Sequence, residues 1–385
     1  MKGKIMTKKF FKCFFAILLV FSLFGVMITA APPTSDESVV CVSGFASYIS
    51  PGATSLSKVF GTKSTSVDYT SLKLYPGGIP FGVKFMTEGI IITGLADVKT
   101  DTGNVCPAKN AGLRQNDIIL KVNNEALKDA EHLSSVVQSS GGAPIKLVYS
   151  RNGAQASATL TPAYCKDEGK YKTGMYLRDS GAGIGTVTYI NPQTLSFGGL
   201  GHGICDAQTG KLVSMQRGSV VGVTINGVVK GLSGAPGEVR GYFSSGKTGT
   251  LLQNTDHGVF GAFASLPDGL TSEPIPVGTR NELRTGKAYI LSTLDGTTPQ
   301  KYEVEISNIQ LDSMTNKCFN VKVTDQALLQ KTGGIIQGMS GSPIIQNGKL
   351  VGAVTHVLIN DPTTGYGIFI ENMLNAAQMP MAKAS

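Results

Sequence analysis

The chain has 385 residues, with 48 glycines, no tryptophan, 16% charged residues and a net charge of +8. That length holds two ordinary domains and a leader, and an apolar content of 41% excludes a disordered polyelectrolyte. Five of the positive charges (Lys2, Lys4, Lys8, Lys9 and Lys12) precede the first long apolar run; the rest shows no basic cluster, so nucleic acid is set aside as a partner.

The run Cys13 to Ala31 follows those lysines, and residues 1–31 carry no acidic side chain. This predicts an export signal or a single membrane anchor with the lysines on the cytoplasmic side. The run is long enough to span a bilayer. Thr29, Ala30 and Ala31 permit cleavage, and Pro32-Pro33 ends any helix. The anchor is the preferred reading, which puts the rest of the chain outside the cytoplasm. Residues 32–75, rich in Ser, Thr, Gly and Pro, read as a spacer open to proteolytic nicking. Cys13, Cys41, Cys106, Cys165, Cys205 and Cys318 are scattered and form no CxxC pair. Zinc and a disulfide framework are therefore unsupported, and the cysteines read as small apolar side chains.

Residues 76–163 change character. Gly82 to Phe85 and Gly89 to Ile92 predict two strands, Asp129 to Val137 predicts a helix, and strands 145–149 and 156–160 flank an Asn152-Gly153 turn. Between them stand Ala111-Gly112-Leu113, Asp117-Ile118-Ile119 and Val122-Asn123. These strings resemble a bacterial PDZ domain, with Asn116 and Asn124 where glycine is common; Asn tolerates the left-handed backbone that glycine supplies there. The resemblance implies peptide binding by strand addition. The loop Tyr75 to Phe81 would precede the receiving strand, and Gly77, Gly78, Ile79, Phe81 and Gly82 are the expected contacts, with two prolines reducing the donors. A PDZ domain that serves only as a spacer is the plainer alternative.

Residues 164–385 are Gly-rich and predicted to be β, with hairpin cues at Asn226-Gly227, Ser245-Gly246 and Asn347-Gly348 and a closing helix near Glu371 to Ala377. The chain as a whole reads as mainly β.

The chemistry concentrates in Gly338-Met339-Ser340-Gly341-Ser342-Pro343, followed by a hairpin pattern to Thr355. This resembles the nucleophile segment of chymotrypsin-like serine proteases, with Ser342 in place of a glycine. A nucleophilic serine needs a tight turn that projects its hydroxyl, and the N–H groups of Gly338 and Ser340 would form an oxyanion hole. An α/β-hydrolase elbow is disfavoured because Ser342 breaks its pattern. Four histidines are available as base: His132, His202, His257 and His356. His132 lies on the predicted PDZ helix. His202, bordered by glycines and upstream of the serine, is favoured, while His257 and His356 stay open. For the acid, Asp325 continues the core-facing phase of Phe319, Val321 and Val323, and a buried carboxylate needs a partner such as an imidazole N–H. Asp325 also suits the cap of a helix beginning at Gln326. Asp206 and Asp256 are weaker candidates.

A closer resemblance rests on Gly198 to Ile204, Val323-Thr324-Asp325, Lys331 to Gly348, Ala353 to Val357 and Asn360-Asp361-Pro362. These strings resemble the SpoIVB-type serine peptidases of endospore-forming bacteria. The resemblance implies an anchor, then a PDZ domain (76–163), then a peptidase domain of chymotrypsin-like barrel type (164–385). It implies a triad of Ser340, His202 and Asp325 and no metal or cofactor. It also implies a peptidase held at the inner forespore membrane through residues 13–31 and exported into the space between the forespore membranes. There it would process itself and cut a membrane-embedded regulator of an intramembrane protease, so that pro-sigma-K matures. The rival reading is a non-catalytic PDZ adaptor on a protease-like scaffold.

Overall fold

The computed structural model describes Tyr69, residues 71–207 and residues 210–378. The apolar run 13–31 and most of the spacer lie outside the described residues, among which no helix is long and apolar enough to cross a membrane. The architecture is mainly β, as expected. In chain order the elements that position the site are β1 (Pro80–Leu95), β2 (Ile118–Val122), α1 (Ala130–Ser139), β3 (Ile145–Arg151), β4 (Ala154–Leu160) and β5 (Met175–Ile190). They continue with β6 (Ser196–Gly199), β7 (Met215–Val229), β8 (Glu238–Thr255), β9 (Gly258–Phe263), β10 (Gly286–Ser292) and β11 (Gln300–Ser307). The last are β12 (Phe319–Val323), α2 (Gln326–Thr332), β13 (Pro343–Gln346), β14 (Lys349–Leu358), β15 (Asp361–Phe369) and α3 (Ile370–Ala377).

Two closed antiparallel barrels result. The first runs β5–β6–β9–β8–β7–β1 and returns to β5. The second runs β10–β11–β12–β15–β14–β13 and closes on β10. Closure removes sheet edges, which otherwise invite unwanted pairing. Phe81, Val83, Phe197, Val220 and Val259 fill the first barrel, and Ile290, Val304, Val321, Ile344 and Ile368 fill the second. Ile184, Tyr189, Val223 and Val239 of the first barrel belong to the second barrel's core cluster, so burial of that wall, at roughly 1.5–3 kcal/mol per large side chain, fastens the barrels together.

The part that resembles a PDZ domain is inserted into the first barrel, with β1 before it in the chain and β5 after it. β1 is one strand of 16 residues, not the two PDZ strands predicted over 82–85 and 89–92. Its first half pairs with β5 from Pro80↔Thr186 to Met86↔Ser180, and its second half from Ile91↔Arg178 to Leu95↔Met175. Residues 87–90 bulge between these stretches, with Gly89 at φ +80°. Beyond the bulge, β1 pairs with β2, β2 with β3 and β3 with β4. A separate core of Ile90, Ile92, Leu113, Ile119, Leu133 and Leu147 lies under α1. The boundary predicted at residue 76 therefore fails, because apolar alternation along a strand does not reveal which sheet receives it.

The same insertion corrects the expected peptide loop. Gly77 and Gly78 already donate their N–H groups to Thr188 and Val187. Ile79 and Phe81 are buried in the first barrel, and Gly82 is paired on both sides, with Ile184 and Val221. Among the described residues these groups are already occupied, which leaves no edge there to take a peptide.

Turn chemistry was mostly legible. Asn152-Gly153 and Asn347-Gly348 take positive φ at both residues, the two-residue hairpin geometry. Asn116 and Asn124 both sit at φ 71°. Asn226-Gly227 and Ser245-Gly246 are not hairpins. They lie inside β7 and β8, at or near shifts in the register between those strands, where glycine serves a bulge rather than a turn.

Candidate active site

His202 follows β6. Leu200 (φ 66°) and Gly201 (φ 69°) turn the chain off that strand. A leucine at positive φ is strained by about 1–3 kcal/mol; burial of its side chain in the first barrel core offsets this. A Cβ on Gly201 would come within 2.9 Å of Thr355 Cγ2, so the bare glycine lets the turn sit against β14. The His202 ring is 4% exposed. Its Nδ1 lies 2.9 Å from the Gly203 carbonyl; a carbonyl only accepts, so Nδ1 carries the proton and the lone pair is on Nε2. Burial lowers the His202 pKa, and the Gly203 carbonyl opposes that in part. The imidazole is thus neutral at pH 7, with a fixed tautomer suited to a base.

Ser340 lies on the turn Gly338 to Gly341, whose two glycines take φ +97° and +93°. A Cβ on Gly341 would strike the Thr186 carbonyl and the Leu200 N–H group; this turn and the His202 turn are therefore in contact. The Ser340 hydroxyl donates to the Thr355 carbonyl at 2.8 Å. Three bonds from β5 hold the turn: Thr186 N–H to Ser340 O (3.1 Å), Thr186 Oγ1 to Gly338 O (2.7 Å) and Thr188 Oγ1 to Gly341 O (2.8 Å). The N–H groups of Met339, Gly341 and Ser342 are donated within the protein, whereas those of Gly338 and Ser340 find no acceptor among the described residues. Backbone donors left unused beside a serine hydroxyl suit a developing oxyanion.

His356 follows Thr355 on β14, and its ring centroid is 5.0 Å from that of His202 at a 39° tilt. Its Nδ1 is buried without a hydrogen-bond partner among the described residues, as is the hydroxyl of Ser342. Burial, then the neighbouring His202 and Lys317, push the His356 pKa down to about 3. His257, the other base left open, has Nε2 2.7 Å from the Met314 carbonyl on the turn between β8 and β9.

The structure does not bring Asp325 to His202. Its carboxylate caps α2, accepting from Leu328 N–H at 2.9 Å and from Glu303 N–H at 3.3 Å. The capping role, one of the two readings open in the sequence, is the one observed. Asp206 is paired with Arg178, and Asp256 is exposed on the turn beside Gly203. The acceptor that orients His202 is the Gly203 carbonyl, which no side-chain pattern signals. Thr186, Thr188 and Thr355 were missed as well; each acts through a backbone contact that only the packed barrels create.

Asp325 still bears on the site, because α2 leads through Gly333 and Gly334 into the Gly338–Gly341 turn. Asp325→Ala is expected to lower stability by about 1 kcal/mol through the lost cap and to slow cleavage by loosening that segment. Asp325→Asn, which caps equally well, is expected to restore both in a thermal melt and a cleavage assay. An Asn variant that melts normally but does not cleave would show that the charge itself is needed.

A family model described as PDZ domain matches residues 105–151. Among curated proteins, a probable protease eep from Enterococcus faecalis is 36% identical over 89 residues, covering 22% of this chain and 21% of that protein. A putative zinc metalloprotease from Clostridium acetobutylicum is 29% identical over 104 residues, covering 27% of this chain and 30% of that one. The chain thus spans under a third of the length of these relatives. Among solved structures, the active form of the Rv3671c protease from M. tuberculosis aligns at 17% identity and a TM-score of 0.31, covering 53% of this chain and 78% of that one. The PDZ domain of the SdrC-like protein from Listeria monocytogenes aligns at 21% identity and a TM-score of 0.20, covering 23% and 87%. The family model SpoIVB peptidase S55 matches residues 169–374, more than half of the sequence, and the chain therefore belongs to the SpoIVB peptidase S55 family.

Proposed function

We propose that Ser340 is the nucleophile and His202 the general base of this serine endopeptidase. Ser340 Oγ attacks the carbonyl carbon of a peptide bond as its proton passes to His202 Nε2. The Gly338 and Ser340 N–H groups receive the oxyanion. The C–N bond breaks as Nε2 returns the proton to the leaving amine, and water, deprotonated in turn by Nε2, releases the acyl group from Ser340. The hydroxyl reaches the imidazole by leaving Thr355 O through a rotation about χ1, between staggered wells. The family resemblance also assigns Asp325 to this machinery, and its route to the site is through α2.

The observation that carries this reading is the pair of undonated N–H groups on a glycine-bordered turn, where the serine and imidazole segments meet. A non-catalytic adaptor has no use for them. A fluorophosphonate probe is expected to label Ser340, mapped by mass spectrometry, and His202→Gln is expected to slow labelling by on the order of 10²- to 10⁴-fold. Labelling at another serine, or at an undiminished rate in the variant, would overturn the assignment.

The biological reading rests on the family. The peptidase is anchored by residues 13–31, faces the space between the forespore membranes, trims its own segment 32–75 and cuts a membrane-embedded regulator of an intramembrane protease, so that pro-sigma-K is processed. Peptides or chain ends bind at the PDZ domain.

A further inference from the structure

In β5, Met175 to Arg178 pairs on one side with Leu95 to Ile91 of β1, and among the described residues no strand lies on the other side. That edge borders a groove of about 320 Å³ shared with α1 and lined by Leu133, Val137, Met175 and Leu177. An edge strand leaves alternate N–H and C=O groups unpaired, a template for one more strand, and the apolar lining accepts side chains from it. A strand added antiparallel ends beside the loop before Met175. Lys170 and Lys172 line the groove at that end and share Glu168; two cations on one carboxylate leave positive charge to complement a terminal carboxylate. Gln138 of α1 fixes the same loop, donating to Tyr171 O at 2.7 Å and accepting from Tyr171 N–H at 3.1 Å.

From this groove β5 runs without interruption to the catalytic turn. Asp179 accepts the Ala130 N–H of α1 at 2.7 Å. Arg178 pairs with Asp206 in the segment that follows His202. Farther along the strand, Thr186 and Thr188 hold the carbonyls of Gly338, Ser340 and Gly341. Where the PDZ insert meets the barrel, four residues of β1 (87–90) bulge opposite the single residue Asp179 of β5, so β5 continues as one strand. One strand therefore touches the groove, the base's segment and the nucleophile's turn.

We propose that β5 couples the PDZ groove to the active site. An extended peptide with a free terminal carboxylate, added to the Met175–Arg178 edge, raises the reactivity of Ser340 by shifting Thr186 and Thr188. The Gly338–Gly341 turn moves with them, away from the arrangement that commits the hydroxyl to Thr355 O. This rests on Ser340 being the nucleophile. The test uses the full chain, fluorophosphonate labelling at Ser340 and a fluorescent pool of hexapeptides ending in valine, with free or amidated C-termini. The free-carboxylate pool is expected to bind by anisotropy and to raise the labelling rate at least threefold, and the amidated pool to do neither. Asp179→Ala should keep the binding and lose the rise. Ser134→Trp, at an exposed position of α1 facing the groove, should lose both and fold normally. Failure of the pool to bind, binding without a rate change, or a rise that survives Asp179→Ala overturns the proposal. Absence of labelling at Ser340 in every sample would instead overturn the nucleophile assignment.

Discussion

Ser340→Ala is expected to lower peptide cleavage by on the order of 10⁴- to 10⁶-fold while leaving a folded protein. The two effects separate because the hydroxyl makes a single hydrogen bond, to Thr355 O. Losing it costs about 1 kcal/mol net, and a domain of this size then melts roughly 2–4 °C lower. In the proposed mechanism catalysis depends on the same oxygen, since the next hydroxyl along the chain, that of Ser342, is fully buried. N-terminal sequencing of purified protein reads the result directly. Wild type should show new N-termini within 32–75, and the variant should keep its original one. Processing that continues in the variant would mean either another nucleophile or another protease.

How much of this was visible beforehand depended on whether a signal was local. The Gly338–Gly341 turn was legible because glycine, serine and proline there each answer a backbone demand within a few residues. Asn152-Gly153 and Asn347-Gly348 were legible for the same reason, and α1 because Ala130, Leu133 and Val137 recur at helical spacing; Asp129 caps it by accepting from His132 N–H at 2.8 Å. The insertion of the PDZ domain was not legible. It depends on β1 and β5 pairing across most of their lengths, and sequence separation hides such long-range pairing. Asp325 shows the opposite failure. Its phase on β12 pointed inward, but the first residue beyond a strand is no longer bound by alternation, and the helix that follows took the carboxylate for its own N–H groups. The histidines were found individually, yet their stacking could not be read from positions so far apart.

That stacking leads to the second large effect, a loss of stability in mild acid. His202 and His356 lie together, are nearly fully buried and are both held neutral. An unfolded histidine titrates near pH 6.5, whereas His356 in the fold protonates only at about 3. Between these values the unfolded chain binds more protons than the native one, so stability falls as pH drops through 6.5 and goes on falling toward 3. At pH 5, His356 alone contributes a loss of about 2 kcal/mol by this linkage, and His202 adds to it in the same direction. The charged neighbour Lys317 strengthens the effect by opposing a second positive charge beside it. His356→Leu removes one titrating ring and also the orphaned Nδ1, so at pH 7 its stability should lie close to wild type, because an apolar group there leaves nothing unpaired. Urea midpoints at pH 7, 6 and 5 should then fall less steeply in His356→Leu than in wild type. Equal slopes would show that the buried imidazoles are not the groups that take up the protons, and that the acid sensitivity arises elsewhere in the fold.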